Sequence, residues 1–248
     1  MRKTLILLAA VVAVCSCKID INGVHINGSN KIRCAGEVIE KTMDFSDFDA
    51  LHLQGAAKVQ FAQADSFLVS VKANEEVFDY LEYTMDGTTL VLGTKNFVTI
   101  VAKTYIITVH APLLTNVKVS GAADLNIPEG YSSDQPVMVE VNGAGDLNFT
   151  GIAVPSMTIS INGAGDLDLA DARIPELSVT VNGAGDLDID NIVTDAVDVT
   201  VRGAGDVRIS GQAGEADFRV SGAGNVDARE LKCENITTAK HGAASIKL

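Results

Sequence analysis

From Gly121 to the carboxy terminus, apolar and polar residues alternate in short runs, and one run returns again and again: VEVNGAGDLNF at 139–149, then ISINGAGDLDL, VTVNGAGDLDI and VTVRGAGDVRI. Val137, Val139 and Val141 alternate with polar positions before the glycines, and Leu147 and Phe149 resume afterwards. The next unit does the same with Met157, Ile159 and Ile161, then Leu167 and Leu169; the one after it uses Leu177, Val179 and Val181, then Leu187 and Ile189. A period of two with β-branched residues predicts strands with one buried face. Helical spacing is absent from this half of the chain. The interval across the glycine corner is always six, as from Val119 to Leu125, Val141 to Leu147, Ile161 to Leu167, Val201 to Val207 and Val220 to Val226. Six is even, so the alternation survives the corner. Gly143 and Gly145 then face inward while Ala144 and Asp146 face out. Glycine is required there either because the interior is pinched or because the backbone bends through positive φ.

The Gly-Ala core recurs at Gly121, Gly143, Gly163, Gly183, Gly203, Gly222 and Gly242, in steps of 22, 20, 20, 20, 19 and 20 residues. A unit this short cannot bury its own apolar face, but stacked copies can. Each strand then pairs in parallel with its counterpart one coil away, about 4.8 Å off, and seven coils make a rod of roughly 34 Å. The expected fold is an all-β parallel β-solenoid of about 20-residue coils over residues 116–248. An antiparallel sandwich with a hairpin at each Gly-Ala-Gly-Asp is the rival, but it gives no reason for repeats identical in register. On the stacked reading Gly121, Gly143, Gly145, Gly163, Gly165, Gly183, Gly185, Gly203, Gly205, Gly222 and Gly224 are structural turn glycines. A phosphate-cradling loop needs a following helix amino terminus, and none is visible.

The amino-terminal portion is less regular. LHLQGAAKVQF around Gly55 is another copy of the corner, 66 residues before Gly121, a distance equal to three steps of 22. YLEYTMDGTTLVLGTK reads as a hairpin with Asp86-Gly87 at its turn, and YIITVHAP reads as a further strand. Residues 41–115 are therefore expected to form an irregular β cap over one end of the solenoid, and residues 18–40, with IDINGVHINGSN, a polar tether.

FSDFDALHLQGAAKVQFAQAD, then DGTTLVL, then the string of NGAGDL units, together resemble the family of unknown function described as putative auto-transporter adhesin, head GIN domain. The resemblance spans about residues 40–248, and the serial Gly-Ala-Gly-Asp before an apolar pair is its most specific feature. It implies a right-handed parallel β-helix on the cell envelope of a Bacteroides-type bacterium. It supplies no catalytic residues.

Arg2 and Lys3 precede an apolar run, Leu5–Val14, of signal-peptide length. The run ends in VCSC, and a small residue before Cys17 resembles a bacterial lipobox, which makes residues 1–17 a lipoprotein signal and Cys17 the lipidated residue. Lipid chains would hold the protein on a membrane without a spanning helix, so the expected place is the cell envelope, lipid-anchored at the outer membrane. Maturation leaves 248 − 16 = 232 residues and, without Arg2 and Lys3, moves the formal charge from −13 to −15. Nucleic acid is excluded as a partner, because phosphate binding needs a basic face. Cys34 and Cys233 are the remaining thiols; a disulfide between them is open in an oxidising compartment, and no CxxC or Cys/His cluster marks a zinc site.

Stacking sets Asp124, Asp146, Asp166, Asp186 and Asp206 in one file, continued by Asn225 and Ser245, with Asn126, Asn148, Asp168, Asp188, Arg208 and Asp227 beside it. Carboxylates about 4.8 Å apart repel by roughly 0.9 kcal/mol in a water-like dielectric. Three arrangements relieve this: hydrogen bonds from the backbone N–H groups of each aspartate's own corner, calcium held between coils, or contact with a basic or cationic partner. Right-handed β-helices also include polysaccharide lyases and hydrolases, so a glycan-active enzyme is the alternative function. It is disfavoured by coils too short for cleft-building loops and by aromatic scarcity, since Gly121–Leu248 holds only Tyr131, Phe149 and Phe218. The sequence thus points to a non-catalytic binding or adhesin-like scaffold module for a protein or glycan ligand, or to a plain spacer, with an open end or flat flank through which copies could pair.

Overall fold

The computed structural model describes residues 19–21, 24–27, 31–128 and 130–248. The predicted stacking is present: residue by residue, strands of one coil pair in parallel with the matching strands of the next. On the first face Leu51, Val117, Val139, Ile159, Val179, Val199 and Phe218 lie in one inward file, ended by Thr238. On the second face Val59, Leu125, Leu147, Leu167, Leu187, Val207, Val226 and Ile246 do the same. A shorter third run closes each coil, as Tyr131–Ser132 beside Ile152–Ala153, then Arg173 bridged to Ala153 and Val193. The files from Leu51 to Phe218 and from Val59 to Val226 are buried. Burying each of those Val, Ile and Leu side chains is worth roughly 1.5–3 kcal/mol, which is why the alternation is held through every coil.

The corner glycines are explained by the neighbouring coil. Each corner carbonyl points along the rod axis and accepts the alanine N–H one coil on, as in Ala144 N to Gly121 O at 2.8 Å and Ala164 N to Gly143 O at 2.9 Å. Gly163 has φ +152, and a Cβ placed on it would lie 2.9 Å from the Gly143 carbonyl carbon and overlap its oxygen. Both expected reasons apply in altered form: φ is positive, and the crowding comes from the backbone below rather than from the opposite wall of the interior.

Two amino-terminal expectations change. Gly55 is one step from Gly121, not three, because the strands Ala50–Gly55 and Asn116–Gly121 pair directly, with Gly55 opposite Gly121. Between them Leu68–Asn74 and Leu81–Asp86 run as antiparallel strands, while Thr89–Thr94 and Tyr105–Ala111 return to pair in parallel with Ala50–Gly55 and Lys58–Gln63 on the side away from Gly121. The hairpin turns at Asp86-Gly87 as expected, with Gly87 at φ +61. Residues 18–40 are not a bare tether. Lys31–Cys34 runs antiparallel to Val24–Asn27 and parallel to Thr99–Ala102, burying Ile32 and Cys34. Val38–Met43 lies antiparallel to Leu68–Asn74. Alternating Ile32 and Cys34 carry that strand signal, which the surrounding asparagines and glycines masked. Inside the cap Asn74 is buried yet fully engaged, donating to Gly36 O at 2.6 Å and accepting from the Lys103 and Thr104 N–H groups at 3.1 and 3.3 Å. The signal segment and Cys17 lie outside the described residues.

Candidate functional site

The corners project one flank of the rod outward. Strand register sets Leu125, Leu147, Leu167, Leu187 and Val207 above one another, so the aspartate immediately before each falls into a single file. Asp124, Asp146, Asp166, Asp186 and Asp206 are thereby brought together, with Asp124 half-buried and the other four exposed. Their hydrogen bonds differ from the expected corner cap in one respect: the donor belongs to the next coil. Asp166 Oδ1 accepts the Asp186 N–H at 2.9 Å, Asp186 Oδ1 the Asp206 N–H at 2.9 Å, and Asp206 Oδ1 the Asn225 N–H at 3.0 Å. Asp124 is the long member, 3.5 Å from the Asp146 nitrogen. The file is thus an inter-coil ladder, in which Asp124, Asp166, Asp186 and Asp206 each tie their own rung to the one above. Asn225 donates its amide to Asp206 Oδ1 at 2.8 Å, ending the run of charge.

The second file stands in register as Asn126, Asn148, Asp168, Asp188, Arg208, Asp227 and Lys247. Arg208 bridges to Asp188 at 3.0 Å, and Arg229 holds Asp227 at 2.6 Å. The Asp227 carboxyl is pulled down to about 2, chiefly by the Arg229 hydrogen bond. Asp168 has no such partner, and its pKa is raised, first by desolvation and then by Asp188, Asp166 and Asp146. A shallow groove of about 580 Å³ runs between the two files, carboxylate-lined with Arg208 and Lys247 at its upper end. Its chemistry is that of an anionic strip: it can accept hydrogen bonds and attract cationic groups, and no nucleophile–base pair lies in it. Among the described residues no group of three or more His, Cys, Asp or Glu side chains is arranged to hold a metal ion.

A further ladder was not anticipated. Asn162 donates to Asn142 at 3.1 Å, Asn182 to Asn162 at 2.9 Å, and Arg202 to Asn182 at 3.3 Å, while Asn142 donates to Glu140 at 2.7 Å. The signal was present in every NGAGD, one residue before the glycine at an outward position. Beside it Lys118 approaches Glu140 at 3.6 Å, and the His52 ring bonds Ser120 at 3.0 Å. Glu140 is held below the usual carboxylate range, first by Asn142 and then by Lys118. A second groove of about 560 Å³ crosses the first face over Thr158, Ser178, Asp198 and Asp217. Arg219 clasps both Asp198 and Asp217 there. Neither groove has an aromatic side chain in its lining. Cys34 and Cys233 are both free thiols, so the structure contains no disulfide between them.

The profile of the family described as "Putative auto-transporter adhesin, head GIN domain" matches residues 47–210 and 170–248. The chain belongs to that family. As a head GIN domain protein it shares its fold with solved structures of low sequence identity. A putative adhesin from Bacteroides fragilis NCTC 9343 superposes with a TM-score of 0.79 at 18% identity, covering 87% of this chain and 99% of its own. A putative lipid binding protein from Parabacteroides distasonis ATCC 8503 gives 0.70 at 19% identity, with 88% and 98% covered. A putative adhesin from the same organism gives 0.69 at 15% identity, with 88% and 100% covered. Among curated proteins no relative matches the chain. Among the described residues no helix is long and apolar enough to cross a membrane.

Proposed function

We propose that this head GIN domain protein is a cell-envelope lipoprotein, anchored through Cys17 at the outer membrane, whose solenoid binds a protein or glycan ligand without catalysing a reaction. One observation carries the reading: five aspartates repeat at single-coil spacing along a smooth flank, Asp124 to Asp206, beside a parallel file of polar and charged side chains. A periodic, solvent-facing array suits multivalent contact, in which several weak sites on one ligand engage together. The adhesin descriptions of the family and of its solved relatives support a binding role. The lipid-binding description of another relative keeps amphiphiles within the ligand classes to be screened. Catalysis is left out because Asp166, Asp186 and Asp206 accept backbone N–H groups, Asp188 and Asp227 pair with arginines, and no nucleophile–base pair lies among them.

Two experiments test this. Radiolabelled fatty acid should enter the wild-type chain in a bacterial host and fail to enter Cys17→Ser; equal labelling would remove the anchor. The full chain, screened on arrayed glycans and immobilised extracellular-matrix proteins, should retain at least one ligand. Binding should fall progressively as Asp166, Asp186 and Asp206 are changed to alanine, and should weaken with salt. Retained binding in the triple variant would move the site off this flank.

A further inference from the structure

We propose that copies of this chain associate head to tail, the last coil of one protomer adding to the amino-terminal edge strands of the next. A solenoid has two ends, and among the described residues the outermost strands of each lack a partner on their outer side. On the first face the sheet begins at Leu81–Asp86, which pairs with Thr89–Thr94, and finishes at the long strand Asn225–Gly242. On the second face it begins at Val38–Met43 and finishes at Ser245–Lys247. Among the described residues Leu81–Asp86, Val38–Met43, Ser245–Lys247 and the 235–242 stretch of Asn225–Gly242 each have a strand partner on one side only, whereas residues 225–227 are covered by Ser245–Lys247. The free side offers a row of backbone donors and acceptors to an incoming strand.

The ends carry opposite charge. Residues 37–43 and 75–86, which form the two leading edge strands and the turn beside them, hold seven carboxylates against the single Lys41, a net −6. The last coil, residues 225–248, holds Arg229, Lys232, Lys240 and Lys247 against Asp227, Glu230 and Glu234, a net +1 on a chain whose total is −13. Head-to-head contact sets carboxylates against carboxylates, and tail-to-tail contact sets lysines against lysines. Only the head-to-tail arrangement is attractive, and it is heterologous, so it extends into a filament instead of closing as a dimer.

The last coil departs from the apolar pattern of those below it. Lys240 stands opposite Val220, at an inward position of the core file, and Thr238 stands opposite Phe218. A lysine there blocks the stacking of another coil like those below it, so an incoming edge is admitted only where a carboxylate such as Glu82 or Asp86 meets the ammonium. Val38 and Met85 on the two leading edge strands and Leu248 at the trailing end are exposed apolar side chains, as are Met138 and Val193 along the rod. Strand addition would cover the first three.

The test is sedimentation velocity of the purified full chain in detergent over a concentration series, at low and high salt. The weight-average mass should at least double with concentration at low salt and return to one protomer at high salt. Lys240→Glu/Lys247→Glu alone and Glu82→Lys/Asp86→Lys alone should each stay at one protomer with wild-type far-ultraviolet circular dichroism. Their equimolar mixture should associate again, because the reversed tail of one meets the reversed head of the other. A wild-type chain that stays single throughout, association that survives both reversals, or a mixture that fails to associate would each overturn the proposal.

Discussion

Replacing Gly163 with alanine tests the physical reason for the corner glycines, because the same fold contains its own control. At Gly163 the backbone has φ +152, and an added Cβ overlaps the Gly143 carbonyl oxygen. That oxygen is the acceptor of the Ala164 N–H at 2.9 Å. Gly55 occupies the equivalent corner of the first coil, with φ +95 and no atom within 4 Å of an added Cβ. Positive φ costs about 1–3 kcal/mol at either site. Gly163→Ala adds overpacking of about 1–3 kcal/mol and a weakened inter-coil hydrogen bond of about 0.5–1.5 kcal/mol. It should therefore destabilise the protein by roughly 2–4 kcal/mol more than Gly55→Ala. Urea unfolding of the two full-length variants, followed by circular dichroism, measures the gap. Equal losses would show that local backbone conformation alone demands glycine and that coil-to-coil contact does not.

Other consequences follow from the flank. Asp186→Asn keeps the acceptor for the Asp206 N–H and should leave the melting temperature nearly unchanged, whereas Asp186→Ala should cost about 1 kcal/mol; calcium should shift neither if the ladder relieves the charge. Because the folded-state pKa of Asp168 lies above its ordinary 3.8, the folded protein binds that proton more tightly than the unfolded chain does, so this group's contribution falls as pH rises through the window just above 3.8. Asp168→Asn should accordingly raise the melting temperature at neutral pH, with the gain disappearing below that window. Asp227 has the opposite sign: its contribution is complete above its ordinary 3.8 and is lost as pH falls toward about 2. Maleimide should label Cys233, which is partly exposed, in the native protein and spare Cys34 until unfolding, since Cys34 is buried with its thiol pushed up to about 11 by desolvation.

The coil was legible because its signal is redundant. Val139, Ile159, Val179 and Val199 repeat both the residue class and the distance to the corner, so one misread unit could not shift the others. The cap lacked that redundancy. The stretch from Ser66 to Thr115 passes to the other side of residues 50–63, where it adds antiparallel strands and two strands stacked in parallel, and the agreement of its length with three coil steps is a coincidence that only pairing could expose. The strand Lys31–Cys34 was hidden for a related reason, since its two buried residues sit in a short run among polar ones. On the flank, the aspartate file follows from the period alone. The donor to each carboxylate does not, because a side chain reaching along the axis meets the next coil as readily as its own turn. The asparagine ladder was written in the same letters, but an outward asparagine beside a glycine reads locally as a turn former, and its partner lies twenty residues away at the same register.

Pulsed electron–electron distances between nitroxides on the outward file of the first face test the stacking most directly. His52, Lys118, Glu140, Ser160, Thr180 and Thr200 succeed one another by single coil steps. Labels at 52 and 180 are thus four steps apart, as are labels at 118 and 200, and both pairs should give about 19 Å despite their different separations along the chain. Distances that differ widely between the two pairs, or that follow chain separation instead of the number of corners passed, would contradict the account.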